Sequence, residues 1–222
     1  MDEERFSVFL EAFGDPFPKE ILDLEKKALS DNIPIIRRDT QRYIRFLLAE
    51  RKPEKILEIG TAVGFSAIFM AYYSDEDTRI ITFESSKKRY DMAAENLKKF
   101  NSEKPVTNKI EAVFGDASDF IKDDPAYAVK EGYDLCFLDA AKGQYPELFK
   151  SIKPLVKQGG MIITDNILQN GDTLESRFMV ERRDRTIHKR MREFLFSVSR
   201  DPDLTSDILP IGDGLLVCVK NV

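Results

Sequence analysis

The sequence predicts an α/β fold with a mostly parallel, seven-stranded sheet that ends in an antiparallel hairpin, helices on both faces and extra N-terminal helices. Two observations carry this prediction. From residue 54 onward, short apolar runs alternate with segments of helical periodicity, which indicates strand–helix–strand units with right-handed crossovers. Before residue 54 only helical periodicity is found. We therefore expect one domain over 1–222, with a helical cap at 1–53 and the sheet-containing core at 54–222.

Three apolar runs at helical spacing precede Pro53, and Pro16 and Pro18 separate the first run from the second. Three helices are therefore expected. The apolar positions are Phe6, Phe9, Leu10 and Phe13 in the first, Ile21, Leu24, Ala28 and Leu29 in the second, and Tyr43, Ile44, Leu47 and Leu48 in the third.

Five short apolar runs in the core are expected to form parallel strands, at 55–60, 79–84, 109–116, 133–140 and 159–166. Helices are expected at 65–73, 89–100 and 148–156, the last closing near Pro154, and at 184–199. The final apolar runs, SDILPI and LLVCVK, are separated by Gly212-Asp213-Gly214. An Asp-Gly turn between apolar runs predicts an antiparallel hairpin.

The composition excludes several classes of protein. A net charge of −5 and 42% hydrophobic residues exclude a wholly basic nucleic-acid coat and are typical of a soluble globular chain. No apolar run approaches the roughly 18 residues of a membrane helix, and the acidic N-terminal segment does not resemble a signal peptide. Cys136 and Cys218 lie in apolar runs and are expected to be buried thiols of a cytoplasmic protein. The single histidine, His188, excludes a His-rich or Cys/His metal site.

Acidic residues end the five predicted parallel strands, at the edge where open parallel sheets bind ligands. They are Glu58, Glu84, Asp116, Asp139 and Asp165. Gly60 and Gly64 have GxxxG spacing rather than the GxGxxG of pyrophosphate-binding loops, although close packing of a strand–helix turn would also explain them. Glu84 can accept hydrogen bonds from ribose hydroxyls, and Asp116 from an adenine amino group. A cationic nucleoside without phosphates, S-adenosylmethionine, suits this acidic edge.

Asp139 and the pair Asp165-Asn166 end neighbouring predicted strands, so their oxygen atoms can converge. An all-oxygen set suits Mg²⁺, with Mn²⁺ or Ca²⁺ as alternatives, whereas a simple loop cap is the other interpretation of Asp165-Asn166. Lys142 follows Asp139 by three residues. Near a metal and partly desolvated, it could act as a general base, although a solvated surface lysine is an equal alternative.

The segments LEIGTAVGFS, ITFE, GDA, LDAAKGQY and TDN of residues 55–166 resemble the metal-dependent class I O-methyltransferases of the catechol and caffeoyl-CoA type. The resemblance implies a Rossmann-like class I methyltransferase fold, with the backbone near Ile36 closing over the donor. It implies a donor site formed by Glu58, Gly60, Ser66, Glu84, Asp116, Ala117 and Asp139. It also implies Asp139, Asp165 and Asn166 as metal ligands and Lys142 as the base that helps to remove the acceptor's hydroxyl proton.

The segment at 177–192 holds seven Lys/Arg and two acids, a net charge of +5, which leaves −10 on the rest of the chain. Such a concentration indicates a surface for a polyanion, although a solvated helix face or a site for the phosphates of an acyl-CoA would also explain it. The basic residues near one helical face and the line beside it are Arg182, Arg183, Arg185, Lys189, Arg190 and Arg192.

This basic segment, together with DNILQNG and ILPIGDGLLV, is similar to one subgroup of the family, the bacterial tRNA 5-hydroxyuridine methyltransferases. The resemblance implies transfer of a methyl group to the 5-hydroxyl of 5-hydroxyuridine at the wobble position of tRNA, giving 5-methoxyuridine. The alternatives are a small-molecule O-methyltransferase acting on catechols or hydroxycinnamoyl-CoA esters and a donor-binding module without catalysis. We expect a homodimer, because the surface around one active site alone contacts only a small part of a tRNA.

Overall fold

The computed structural model describes residues 3–13, 15–103, 110–122, 124–129, 132–176 and 178–222. Within them lies one seven-stranded sheet of order β3-β2-β1-β4-β5-β7-β6. The strands are β1 (Lys55–Ile59), β2 (Arg79–Glu84), β3 (Ile110–Phe114), β4 (Tyr133–Leu138), β5 (Val156–Thr164), β6 (Leu204–Leu209) and β7 (Leu215–Lys220). β1 to β5 pair in parallel, and β7 runs antiparallel to both β5 and β6. The predicted sheet and its terminal hairpin are confirmed.

Eight α-helices are described alongside the sheet in these residues. They are α1 (Glu3–Ala12), α2 (Lys19–Ser30), α3 (Arg38–Arg51), α4 (Phe65–Tyr73), α5 (Lys87–Glu103), α6 (Ala117–Phe120), α7 (Tyr145–Ile152) and α8 (Arg185–Val198). The three N-terminal helices are α1 to α3, as the apolar periodicity predicts. Short 3₁₀ segments lie at Lys142–Gln144, Lys153–Leu155 and Gln169–Leu174.

Two hydrophobic layers sandwich the sheet, because successive strand side chains point to opposite faces. Ile56 of β1 packs into one layer with α2, α3 and α4, whereas its neighbour Leu57 packs into the other with α7 and α8. Parallel strands covered on both faces are apolar throughout, which explains why the strands read as continuous hydrophobic runs in the sequence. Both cysteines, Cys136 and Cys218, are free and buried, as expected.

Several predicted boundaries are wrong by a few residues, and α5, for example, covers Lys87–Glu103 rather than 89–100. α7 occupies Tyr145–Ile152 rather than 148–156, and Lys153–Leu155 forms a 3₁₀ turn because Pro154 cannot donate the hydrogen bond that would continue the helix. β5 begins at Val156 rather than 159, through a register shift in its pairing with β4. The third predicted strand is shorter, since β3 covers Ile110–Phe114, and position 109 lies outside the described residues.

The carboxyl ends of the parallel strands meet the turn between β6 and β7 at one edge of the sheet, because β7 runs antiparallel to β5. The loops after β1 to β5 and the segment before α3 converge at the same edge. No helix in the described part of the chain is both long enough and apolar enough to cross a membrane.

Candidate active site

A cavity of about 350 Å³ opens at the carboxyl edge of the parallel strands. Seven of the residues that the sequence singles out line it, namely Gly60, Glu84, Asp116, Ala117, Asp139, Asp165 and Asn166. The sheet therefore gathers these residues from the ends of all five parallel strands, as the placement of acids after apolar runs predicts.

Gly60 lets the loop after β1 pass directly against the loop after β4. Its φ of +109° is disfavoured for residues with a side chain, and a Cβ at this position would collide with the carbonyl oxygen of Asp139. Gly64, at φ +82°, precedes α4 and would place a Cβ 3.5 Å from the side chain of Ala93, which is ordinary contact. The close approach of two backbones, rather than a side-chain contact, thus explains the glycine at position 60.

Two acids near the ends of β2 and β3 in the cavity wall are oriented by backbone amides. The buried carboxylate of Glu84 accepts hydrogen bonds of 2.8 Å from the N–H groups of Ala62 and Ser86. The carboxylate of Asp116 caps α6 by accepting a hydrogen bond of 2.9 Å from the N–H of Ser118. Both acids keep a fixed orientation at the cavity wall, which is the condition for recognising a sugar and a base by hydrogen bonds.

Three of the predicted donor-site residues lie outside the cavity wall. Glu58 is fully buried within β1, and Ser66 is buried in α4. Burial, partly offset by the hydroxyl groups of Ser66 and Thr82, raises the pKa of the Glu58 carboxyl to about 7. The side chain of Ile36 is also buried, and its carbonyl oxygen accepts a 2.9 Å hydrogen bond from Nε2 of Gln41. The neighbours of Ile36 in sequence, Ile35 and Arg37, line the cavity instead.

Asp139, Asp165 and Asn166 form a compact oxygen-rich corner of the cavity. Burial raises the pKa of Asp139 to about 6, and burial together with the charge of Asp139 raises that of Asp165 to about 7. Asn166 adopts a left-handed φ of +62°, and the hydroxyl of Tyr145 donates a 3.0 Å hydrogen bond to the carbonyl oxygen of Asp165. The fold thus holds two desolvated carboxylates close together in spite of their mutual repulsion.

This donor set fits a hard divalent cation. Among the described residues, no group of three His, Cys, Asp or Glu side chains is placed to hold a metal, so the corner has two carboxylates and one amide. Within that same part of the chain, no side-chain cation forms an ion pair with Asp139 or Asp165. Few protein ligands and several retained waters are the arrangement that Mg²⁺ favours.

Lys142 begins the 3₁₀ turn that leads into α7, and it lies beside the cavity-lining Ala141 without lining the cavity itself. Its side chain is half-buried, and burial lowers the pKa of its ammonium group. Four aspartates oppose that shift, and they are Asp213, Asp172, Asp139 and Asp165. The residue therefore lies within the field of the acidic corner rather than on a freely solvated surface.

Sequence reasoning missed Arg37 and Asp213 as cavity residues. Nε and Nη2 of Arg37 donate to the Asp213 carboxylate at 3.0 and 2.7 Å, which ties the segment before α3 to the turn between β6 and β7. Asp39 adds a second link by accepting a 2.7 Å hydrogen bond from the N–H of Gly212. The antiparallel direction of the last strand was the available signal, since it places this turn at the carboxyl edge.

The basic segment is largely exposed. Arg182, Arg183, Lys189 and Arg190 are exposed, whereas Arg185 is half-buried and donates a 3.1 Å hydrogen bond to the carbonyl oxygen of Val180. Arg183 pairs with Glu181 at 3.0 Å, and Lys189 is 3.6 Å from Glu193. Both acids are close in sequence to the basic residues that they contact. Position 177, the first of the basic segment, lies outside the described residues.

Comparison with known proteins decides the family. The family model described as O-methyltransferase matches residues 18–221 of this chain. The chain belongs to the O-methyltransferase family. It is 29% identical over 198 residues to caffeoyl-CoA O-methyltransferase of Medicago sativa, covering 84% of this chain and 75% of that protein. It is 30% identical over 192 residues to flavonoid 3',5'-methyltransferase of Vitis vinifera, covering 84% and 77%.

Solved structures agree with this membership. A proposed caffeoyl-CoA O-methyltransferase from Staphylococcus aureus superposes with a TM-score of 0.84 and 28% identity, over 99% of both chains. The SAH-bound methyltransferase PaMTH1 of Podospora anserina has a TM-score of 0.84 at 23% identity, over 99% of this chain and 95% of that one, and shares the fold. The present chain is thus an S-adenosylmethionine-dependent O-methyltransferase with the Rossmann-like fold of class I methyltransferases.

Proposed function

We propose that this O-methyltransferase transfers the methyl group of S-adenosylmethionine to the 5-hydroxyl of 5-hydroxyuridine at the wobble position of tRNA, giving 5-methoxyuridine, in a Mg²⁺-dependent reaction. The observation that carries the choice of acceptor is the exposed basic segment beside the site. α8, which continues that segment, packs against both the turn that carries Lys142 and the 3₁₀ segment that follows Asn166. A polyanion bound there would lie next to the acceptor position.

The donor is held on the side of the cavity formed by β1, β2 and β3. Glu84 accepts hydrogen bonds from the ribose hydroxyls, and Asp116 accepts one from the adenine amino group. The loop at Gly60 lets the donor lie close to the backbone at the edge of the sheet. With donor and acceptor fixed in one cavity, most of the rate enhancement comes from positioning two bound reactants in line.

The acceptor hydroxyl lies on the side formed by the ends of β4 and β5. Asp139, Asp165 and Asn166 would hold the Mg²⁺ ion, which lowers the pKa of an acceptor hydroxyl and orients it when bound. Nζ of Lys142 accepts the hydroxyl proton, helped by the burial that lowers the pKa of this lysine. The hydroxyl oxygen then forms the new bond to the methyl carbon as the carbon–sulfur bond breaks, and S-adenosylhomocysteine leaves.

A second candidate acceptor is a small phenol, either a catechol or a hydroxycinnamoyl-CoA ester. The names of the relatives favour it, because the Medicago protein is a caffeoyl-CoA O-methyltransferase. A 5-hydroxyl beside a carbonyl offers two neighbouring oxygens, as a catechol does, so the oxygen-rich corner suits either acceptor. The exposed arginines of the basic segment favour the tRNA acceptor, because they attract its phosphates.

We further propose that the enzyme acts in the cytoplasm as a homodimer. The buried free thiols suit a reducing compartment. Phe9 of α1 stacks with Phe13, which follows the helix, and each residue is 62% exposed, which leaves an apolar surface for a second copy. Light scattering on the purified protein gives the oligomeric state. Methyl transfer to tRNA that carries 5-hydroxyuridine, measured against a catechol, tests the acceptor.

A further inference from the structure

A second concave surface lies on α8, apart from the active-site cavity. This groove has a volume of about 800 Å³ and runs between the chain at 174–176 and the solvent-facing side of the helix. Its cationic lining residues are Lys189, Arg192 and Arg200, and Phe196 lies between them on the helix. None of the residues predicted for the donor or the metal lines it.

Phe196 provides an aromatic surface flanked by two cations. Its side chain is 51% exposed, and the guanidinium carbons of Arg192 and Arg200 lie 5.8 and 5.7 Å from the ring centroid. An exposed phenylalanine with positive charge beside it has the composition that binds single-stranded nucleic acid, since bases stack on the ring and the cations attract phosphates. Glu193 also lines the groove, where Lys189 lies 3.6 Å away.

The groove is connected to the catalytic corner by a short chain of hydrogen bonds. Nη1 of Arg192 donates to the carbonyl oxygen of Thr173 at 2.9 Å, and the hydroxyl of Thr173 donates to the carbonyl oxygen of Ile167 at 2.7 Å. Ile167 directly follows Asn166. The buried His188 forms part of the wall, with Nε2 3.1 Å from the carbonyl oxygen of Glu175. The groove thus has a fixed position relative to the acceptor site.

We infer that this groove binds a nucleotide of the single-stranded anticodon loop near the target uridine, with the base stacked on Phe196 and a phosphate held by Arg192 and Arg200. The inference rests on the proposed tRNA acceptor and extends it to a defined subsite. The groove shares Lys189 and Arg192 with the basic segment, so RNA bound to that segment would extend toward Arg200. Charge and stacking together select RNA over a neutral phenol.

Phe196→Ala and Arg200→Ala test the subsite. Arg192 is left unchanged, because its hydrogen bond supports the 3₁₀ segment beside the active site. The probe is a fluorescein-labelled anticodon stem-loop with unmodified uridine, whose dissociation constant is measured by fluorescence anisotropy. We expect Phe196→Ala to raise that constant about tenfold, as the loss of one stacked base does, and Phe196→Tyr to restore binding. Arg200→Ala is expected to weaken binding and to reduce its dependence on salt.

Phe46→Ala is the matched control, because Phe46 is 63% exposed on α3, which packs on the opposite face of the sheet. The same proteins are assayed for methyl transfer to free 5-hydroxyuridine, for which kcat/KM should stay within about twofold in Phe196→Ala. Stem-loop binding equal to wild type in Phe196→Ala would overturn the inference, and so would an equal loss of activity on the nucleoside.

The two proposals fail in different ways. Stem-loop binding that is lost in Phe196→Ala, with no methyl transfer to 5-hydroxyuridine by wild type, would support the subsite and refute the proposed acceptor. Methyl transfer to tRNA that is unaffected by Phe196→Ala would support the acceptor and refute the subsite. Coenzyme A is titrated in parallel, and binding of coenzyme A that depends on Phe196 while RNA binding does not would refute the assignment of the groove to RNA.

Discussion

The buried carboxylate of Glu58 accepts a hydrogen bond of 2.5 Å from the hydroxyl of Thr82 on the neighbouring strand. The Thr82 hydroxyl lies 2.6 Å from that of Thr61, so a short polar chain joins β1, β2 and the loop after β1 within the core. Among the described residues, Oε1 of Glu58 has no hydrogen-bond partner. An incompletely satisfied buried carboxylate is costly when charged, and burial accordingly raises its pKa from 4.5 to about 7.

This raised pKa predicts that ligand-free protein loses stability as the pH rises. Between about 4.5 and 7 the folded chain keeps a proton on Glu58 that the unfolded chain has released, so the free energy of unfolding falls through this range. Glu58→Gln keeps the acceptor for Thr82 and removes the titration. Between pH 5 and pH 8 the free energy of unfolding should fall less in Glu58→Gln than in wild type. We expect a difference of up to ~3 kcal/mol, measured by urea unfolding.

Glu147→Gln makes the same chemical change at the start of α7, where the side chain is exposed, and serves as the control. It is expected to follow the wild-type curve. Equal pH dependence in wild type and Glu58→Gln would contradict this explanation of the buried carboxyl.

Removing the Asp165 carboxylate should separate turnover from donor binding. We expect Asp165→Ala to lower kcat by roughly 100-fold or more, because the proposed Mg²⁺ site would lose a ligand, while the dissociation constant of S-adenosylmethionine changes little. Tyr145 contacts the backbone carbonyl of Asp165, so the change leaves that support intact.

Mg²⁺ should raise the melting temperature of wild type and not of the Asp165→Ala variant. Asp207→Ala, at an exposed position on β6, is the control, and a Mg²⁺ response retained in Asp165→Ala would refute the metal site.

We expect Lys142 to contribute to catalysis as a base that accepts a proton, and not only through its positive charge. Lys142→Ala and Lys142→Arg should both lose about 100-fold or more in kcat, since an arginine keeps the charge and cannot serve as a base at neutral pH. Donor binding, measured by calorimetry, should be retained in both. Lys150→Ala, at an exposed position on α7, controls for the loss of a nearby positive charge. Wild-type turnover in Lys142→Arg would show that the residue stabilises charge instead.

The double variant Arg182→Ala/Arg183→Ala should weaken tRNA methylation through KM. Removing two phosphate contacts is expected to lower the slope of log KM against log salt by roughly 1 to 2 while leaving donor affinity unchanged. Lys98→Ala/Lys99→Ala removes two exposed charges from α5 and is the matched control. An unchanged KM and salt slope in the arginine variant would exclude these residues from the RNA interface.

The sequence predicted the sheet and the acids at its edge because both depend on local patterns, namely apolar runs and the residue type that follows them. It did not predict the link between Arg37 and Asp213, which joins residues 176 positions apart. No periodicity encodes such a pairing. The start of β5 was also missed, because Lys157, Gln158 and two glycines do not form an apolar run, although they lie in β5 between Val156 and Met161, which both pair with β4.

The resemblance placed Glu58 and Ser66 around the methyl donor, whereas the structure buries both behind the cavity wall. Alternation along β1 accounts for the difference in physical terms. Glu58 lies between Leu57 and Ile59, whose side chains pack on one face, so its own side chain points to the other. Local sequence shows that a strand ends in acids, and only the tertiary packing shows which of them line the cavity.

The most direct test of the account is methyl transfer from labelled S-adenosylmethionine to two acceptors, tRNA that carries 5-hydroxyuridine and a simple catechol. Each acceptor is assayed with Mg²⁺ and with a chelator. The account predicts rapid labelling of the tRNA that requires Mg²⁺, with little labelling of the catechol. Labelling of the catechol alone would contradict the RNA acceptor and make the basic segment a solvated surface. Full activity in chelator would contradict the role assigned to Asp139, Asp165 and Asn166.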